Sequence, residues 1–327
     1  NFLDNNYDNI ILSRIIRMVE KSQYTESNTE FKRNGNSLYN GEFISHLLEK
    51  NFFVEAMQKE LRCEKEFVDF YPKWIESSEL NNVKGLDRFS FRFPSVGVTQ
   101  SLDEFHYFIL EQGLRLRMFR GEYPYNRDVH PWSYDDFIDD KPLEKNDAVI
   151  ISCPFSGTGA KHDKMESMLD EAYELRIPVF VDMAWFGTCK DIDIDLSHPA
   201  IEEVAFSTTK GLCTGDYRSG IRFSHHGIID YTLPKRKDRL ALQSDWSHGC
   251  HLNTRIGLEL MLNFSPDHQW NKYHKAQQKV CESYALTPSN CVHIALGDDQ
   301  WKQFHRDKTY NRVNIAKVVK RVYEQKE

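Results

Sequence analysis

The sequence predicts an α/β protein, a mixed, mostly parallel sheet sandwiched by helices, with a smaller α+β domain beside it. Three observations carry that expectation. From about residue 88 onward, strand-like and helix-like segments alternate, a β-α-β rhythm that implies a largely parallel sheet covered by helices. Val179-Phe180-Val181-Asp182 reads as a buried strand ending in a carboxylate, and Phe206-Ser207-Thr208-Thr209-Lys210 as a second strand ending in a Ser-x-x-Lys turn. Asp182, Ser207 and Lys210 therefore sit at strand ends, where sheets of this kind gather ligand groups.

The elements follow in order. Ile10, Ile11, Ile15, Ile16 and Val19 recur at helical spacing, and a second helical stretch covers residues 42–61. The polar, Asn-rich stretch 21–41 between them reads as a loop or arm. Phe89, Phe91 and Phe93 alternate as a strand does. Gly97 then leads into the amphipathic run Leu102, Phe105, Phe108, Ile109. Strands are expected at 114–119, 148–152, 178–182, 203–207 and 220–223, with a helix carrying Met165, Met168, Leu169 and Ala172. A loop over 231–249 precedes a helix over 252–262. The C-terminal region reads as mixed, with a strand over 312–315 and a basic terminal helix. The division expected is a large domain over 46–262 and a small domain built from 1–45 and 263–327.

Composition narrows the function classes. The chain has 327 residues, 40% of them hydrophobic and 28% charged, which suits a folded soluble protein with a sizeable core. A net charge of −7 disfavours non-specific binding to nucleic acid or to a membrane surface. Cysteines at 63, 153, 189, 213, 250, 281 and 291 form no CxxC pair, so neither a zinc ribbon nor a disulfide framework is indicated. His248-Gly249-Cys250-His251 lacks a second cluster to complete a zinc set. With no apolar run of membrane-span length and no signal-peptide pattern, a cytoplasmic location with reduced thiols is expected.

The motifs define a chemistry. Gly97-Val98-Thr99-Gln100-Ser101-Leu102 is a turn before a helix, where backbone N–H groups and a hydroxyl suit an anion. Tyr123-Pro124-Tyr125 places a flat ring next to a proline; alone it reads equally as a surface turn. Cys153-Pro154-Phe155-Ser156-Gly157 and Asp182-Met183-Ala184-Trp185 follow, then Ser207, Lys210 and Arg218. A carboxylate at the end of an apolar strand is costly unless it has a cationic partner. A lysine amine serves as nucleophile and proton shuttle when burial lowers its pKa.

In this order and at these spacings, the motifs resemble fold-type I pyridoxal 5'-phosphate (PLP) enzymes, the aspartate aminotransferase superfamily (class I/II). The likeness runs from about residue 88 to 225, with echoes near 247 and 312. It implies the PLP-dependent transferase fold, a homodimer sharing its active site, and an amino acid and keto acid as small-molecule substrates. Lys210 would hold the cofactor aldehyde as a Schiff base, with Asp182 keeping the pyridine nitrogen protonated. Gly97, Val98, Thr99, Ser207 and Arg218 would bind the phosphate, joined by Ser247 in Trp246-Ser247-His248 from the partner subunit. Tyr123 would stack on the ring. Arg312 would take the substrate α-carboxylate.

The chain departs from the family pattern at two places. Ser156 stands where the family has Asn and Trp185 where it often has Tyr, both donors to the cofactor ring oxygen. An aminotransferase is the first expectation. A PLP-dependent lyase, decarboxylase or oxidase is the alternative, and a non-catalytic protein of the same fold a third. The loop around Ser244 carries no arginine where dicarboxylate-specific members place a second one, so aspartate specificity is not expected.

Overall fold

The computed structural model describes residues 31–32, 38, 41–50, 52, 55, 63–130, 134–225 and 251–325. Its strands are β1 Asn82–Lys84, β2 Phe91–Ser95, β3 Arg115–Met118, β4 Tyr134–Phe137, β5 Asp147–Ser152, β6 Val179–Met183, β7 Asp193–Asp195, β8 Ile201–Ser207, β9 Gly220–Ser224, β10 Thr287–Pro288, β11 Ile294–Leu296, β12 His305–Arg306 and β13 Tyr310–Asn314. Seven of them form one sheet in the order β2-β9-β8-β6-β5-β3-β4. β9 runs antiparallel to β2 and to β8, and the other pairings are parallel.

Every residue of β5, β6 and β9 is buried, as expected of strands covered on both faces. The period of two divides their side chains between two apolar layers. Ala148, Ile150, Phe180 and Ala205 pack with Val98, Leu102, Phe105 and Ile109 of the helix Val98–Gln112. Val149, Ile151, Val179, Val181, Val204 and Phe206 face the opposite layer. That layer is built from the helices Glu64–Glu76, Met165–Leu175 and His251–Asn263. The first of these buries Phe67, Tyr71, Trp74 and Ile75, one face of a helix. The short parallel pair β1–β7 lies apart from this sheet.

β10, β11, β13 and β12 form a separate antiparallel sheet in that order. The helices His268–Tyr284 and Ala316–Glu324 share an apolar cluster with it through Trp270, Tyr273, Val280, Val313, Val318 and Val319. The helix His268–Tyr284 departs from the mixed reading of the C-terminal region. Its mean hydropathy is low, but Trp270, Tyr273, Ala276, Gln277, Val280 and Cys281 fall on one buried stripe. β4 was also unanticipated. Arg312 lies on the last strand, as expected, and that strand is flanked on both sides.

The β12–β13 hairpin docks against the main sheet's loops. Asp307 and Lys308 turn it with positive φ angles of 44° and 60°. An Asp307 carboxylate oxygen accepts from the Gly121 N–H at 3.0 Å, and Arg127 donates to the other at 2.9 Å. The Tyr310 ring rests on Gly121 and Gly157, where an added Cβ would come within 2.6 Å and 2.8 Å of it. Gly121 also has a φ of 91°, which favours glycine. Replacement Gly121→Ala is therefore expected to cost about 1–3 kcal/mol, read as a drop of several degrees in thermal midpoint; an unchanged midpoint would mean the hairpin is not seated this way.

Candidate active site

The ends of β5, β6 and β8 and the turn before helix Val98–Gln112 open onto one cavity of about 750 Å³. Asp182 is placed there by its position in β6, where it pairs in register with Ser152 of β5 and Ala205 of β8. Its Oδ1 accepts from the Ala184 N–H at 2.8 Å. Burial pushes the Asp182 carboxyl up, opposed by that N–H and by the charge of Lys210.

Lys210 lies in the short helical turn Thr208–Gly211 that follows β8. Ser207 caps the turn by accepting from the Thr209 N–H at 3.1 Å. The Thr208 hydroxyl donates to the Ser219 carbonyl at 3.0 Å, fixing the turn to the strand beside it. Lys210 is half-buried, and desolvation lowers its ammonium pKa first. Arg218 and Arg312 lower it further, and Asp182 works against them. The amine is thus favoured toward the neutral, nucleophilic form.

An oxyanion cradle lies beside it. Gly97 has φ 78° and precedes the helix Val98–Gln112 with no side-chain cap, leaving its first N–H groups to an outside acceptor. A Cβ on Gly97 would stand 3.4 Å from Ser207 Oγ, 3.7 Å from Thr209 Oγ1 and 4.0 Å from Arg218 Cβ. The helix's first N–H groups, two hydroxyls and the stem of Arg218 therefore lie close together. Arg218 is exposed at the mouth, its carbonyl held by Asn253 at 3.1 Å.

The remaining walls come from loops. Tyr123 follows β3 and is stacked parallel to Tyr125 at 5.7 Å between ring centres. The Ser156 N–H donates to Ser152 Oγ at 2.8 Å, and Ser156 Oγ accepts from Arg306. The face of Trp185 lies 4.6 Å from the Arg312 guanidinium. Its ring also meets His293 edge-on at 5.2 Å. Arg312 is buried, which with the charge of Arg306 pushes its pKa well down.

The structure thus gathers Gly97, Val98, Thr99, Tyr123, Ser156, Asp182, Trp185, Ser207, Lys210, Arg218 and Arg312 around one cavity. Ser247 lies outside the described residues, as do the loop around Ser244 and most of the His248–His251 cluster. Sequence reasoning missed Thr209, Arg306 and Glu122. Thr209 is implicit in the Ser-x-x-Lys turn. Arg306 has a weak signal, a second arginine shortly before Arg312 in an alternating hairpin. Glu122 has only its place next to Tyr123.

With the geometry in view, comparison with known proteins is informative. No family model and no curated protein sequence matches the chain. Solved structures do: the architecture is the aspartate aminotransferase, fold-type I fold. A probable N-succinyldiaminopimelate aminotransferase from Thermus thermophilus is similar at a TM-score of 0.58 and 12% identity, over 89% of this chain and 92% of that one. Thermus thermophilus aspartate aminotransferase with maleate matches at 0.62 and 10% identity, over 89% and 88% of the two chains. An aromatic aminotransferase from Pyrococcus horikoshii OT3 matches at 0.62 and 10% identity, over 89% and 93%. At these identities the likeness concerns the fold.

Glu122 supplies a measurable signature of the site. It is buried and accepts from the Ser152 and Tyr123 N–H groups, each at 2.7 Å, and from the Ser152 hydroxyl. Burial outweighs these donors and pushes its carboxyl from 4.5 up to about 7. The unfolded chain therefore loses this proton first as pH rises. Glu122 contributes most below pH 4.5, and its contribution falls by on the order of 3 kcal/mol as pH passes 7. In Glu122→Gln this fall should vanish, so the stability of the variant relative to wild type should rise between pH 5 and 8. A difference independent of pH would show that Glu122 titrates normally.

Proposed function

We propose that the chain is a PLP-dependent aminotransferase acting on an amino acid, with Lys210 as the attachment point. The observation that carries this reading is the common cavity of Lys210 and Asp182, each altering the other's protonation, with the oxyanion cradle alongside.

The residues suit the cofactor. Gly97, the first N–H groups of the following helix, Ser207, Thr209 and Arg218 would hold its phosphate. Asp182, desolvated and at the end of a central strand, suits a cationic ring nitrogen. Tyr123 offers a ring face for offset stacking. Bound there, PLP supplies an electron sink for charge developing at the substrate Cα.

The protein's own tasks follow from its geometry. Lys210, biased toward the free amine by burial, provides the nucleophile and then a base for the α-proton. Arg312 grips the α-carboxylate through its planar fork, and the Trp185 face fixes that fork. Asp182 remains ionised when a cation sits opposite, holding the proton at the ring nitrogen. We also propose the large and small domain limits at 46–262 and 263–327, with 1–45 joining the latter. The reading further includes a homodimer in which Ser247 serves the partner's phosphate site, and a cytoplasmic setting. No described helix is long and apolar enough to cross a membrane.

A second reading, a lyase, decarboxylase or oxidase, has a specific motive. Ser156 Oγ and the Trp185 ring are both engaged with arginines, whereas the family pattern assigns those positions to the ring oxygen. Stoichiometric keto acid from an amino acid favours transamination; carbon dioxide, ammonia or peroxide favours the second reading.

The protein incubated with PLP and reduced with borohydride should gain one pyridoxyl phosphate on the peptide containing Lys210, seen by mass spectrometry. Lys210→Ala should gain none. Asp182→Asn should keep the adduct yet lose about 10²–10³-fold in turnover. An adduct on another lysine, or none on the wild type, would overturn the assignment.

A further inference from the structure

The β12–β13 hairpin carries two arginines into the cavity, and the sequence motifs account for only one. Arg306 pairs directly with Tyr310 across the hairpin, and Arg312 follows Tyr310 by two positions. All three side chains therefore leave the same face, with Arg306 and Arg312 as diagonal neighbours about 7–8 Å apart at Cα. Both arginines are buried, and both line the cavity that holds Lys210 and Asp182. Ser156 accepts from one arm of the Arg306 guanidinium, which orients its plane. The hairpin turn is itself fixed by Asp307 on Gly121 and Arg127.

From this we infer that Arg306 is a specificity-determining residue: it binds the side-chain carboxylate of an acidic amino acid while Arg312 holds the α-carboxylate. The inference rests on the reading of the cavity given above.

Electrostatics favours it. Two desolvated guanidiniums on one wall repel, and the proximity of Arg306 contributes to the lowered pKa of Arg312. A neutral amino acid brings one carboxylate to this wall, whereas an acidic one brings two. Each fork can meet a carboxylate through parallel N–H bonds, a geometry a lysine could not supply. The loop around Ser244 carries no second arginine. The fold brings a cation to the cavity from elsewhere in the same chain.

The rival role is structural, with Arg306 only bracing the Ser156 loop. The two roles separate by titrating the PLP-treated protein with succinate and with acetate in a calorimeter. Wild type should bind succinate at least tenfold more tightly than acetate. Arg306→Gln should lose about 10- to 100-fold in succinate affinity with acetate unchanged, and Arg306→Lys should recover part of it. Ser156→Ala, which removes the hydroxyl that orients Arg306 but leaves its charge, should lose no more than about threefold, far less than Arg306→Gln. By absorbance, wild type should respond to L-aspartate or L-glutamate at lower concentration than to L-alanine, and Arg306→Gln should erase the difference.

An Arg306→Gln protein that binds succinate like wild type would overturn the inference. So would a wild type indifferent between succinate and acetate, a result that needs no variant to fold. Should PLP not attach to Lys210, the proposed reaction fails, while dependence of succinate binding on Arg306 still decides this inference.

Discussion

The site depends on desolvating two opposite charges at neighbouring strand ends. Asp182 ends β6 and Lys210 sits just past the end of β8, and the pairing of those two strands sets where both emerge. Burial shifts each group toward its neutral form, the carboxyl up and the amine down, while mutual attraction resists both shifts. Burial and attraction thus work against each other at both groups. A desolvated pair of this kind serves no structural end that an apolar pair would not serve better. It does suit a lysine that must be nucleophile in one step and proton carrier in another, and an acid that waits for a cationic ring. The parallel sheet makes this possible: several strands deliver their C-terminal ends to one edge, and the antiparallel β9 begins at that edge, with Arg218 just before it.

The second constraint is the docking of the hairpin. Arg306 and Arg312 belong to the C-terminal sheet, while Lys210 and Asp182 belong to the large one. Their common cavity exists because Tyr310 seats on two glycines and Asp307 bridges to the Gly121–Arg127 segment. The segment that receives the hairpin also carries Tyr123 and Glu122. Movement of the hairpin would therefore displace Arg306, Arg312 and Tyr123 together. On the proposed reading, substrate selection and cofactor orientation would share one mechanical support.

Much of this arrangement is legible in the sequence, and the parts that are not have physical reasons. The apolar runs at 148–152 and 178–182 read correctly because central parallel strands need no polar face. Lys210 and Asp182 stand out in the sequence because each is a charged residue at or just past the end of such a run. The helix His268–Tyr284 escaped because its buried stripe is narrow, with Gln277 among its members. Gln277 is buried for its amide, which donates to the carbonyls of Ser289, Cys291 and Ile294 at 3.0–3.2 Å, a contact no hydropathy pattern records. Arg306 escaped for a related reason. A single arginine in a short hairpin looks like a solvated edge until the register of β12 on β13 turns it inward. Glu122 looks like any loop carboxylate until the Ser152 backbone and hydroxyl close over it.

The departures at Ser156 and Trp185 then take on a common sense. A serine cannot reach as far as an asparagine, and an indole offers no hydroxyl, so both substitutions look like losses when the cofactor ring is considered alone. In the folded chain each has an arginine as its partner. The Ser156 hydroxyl accepts from Arg306, and the Trp185 face lies against Arg312. Both replacements therefore fall where Arg306 and Arg312 meet the Lys210–Asp182 side of the cavity, and each lies against a guanidinium. A cation with long, rotatable side-chain bonds loses several degrees of freedom on binding a carboxylate. Fixing its plane beforehand reduces that cost. On the proposed reading, the two positions that depart from the family pattern would serve the carboxylate-binding arginines instead of the cofactor ring, exchanging polar contacts at the ring for pre-oriented contacts to the substrate.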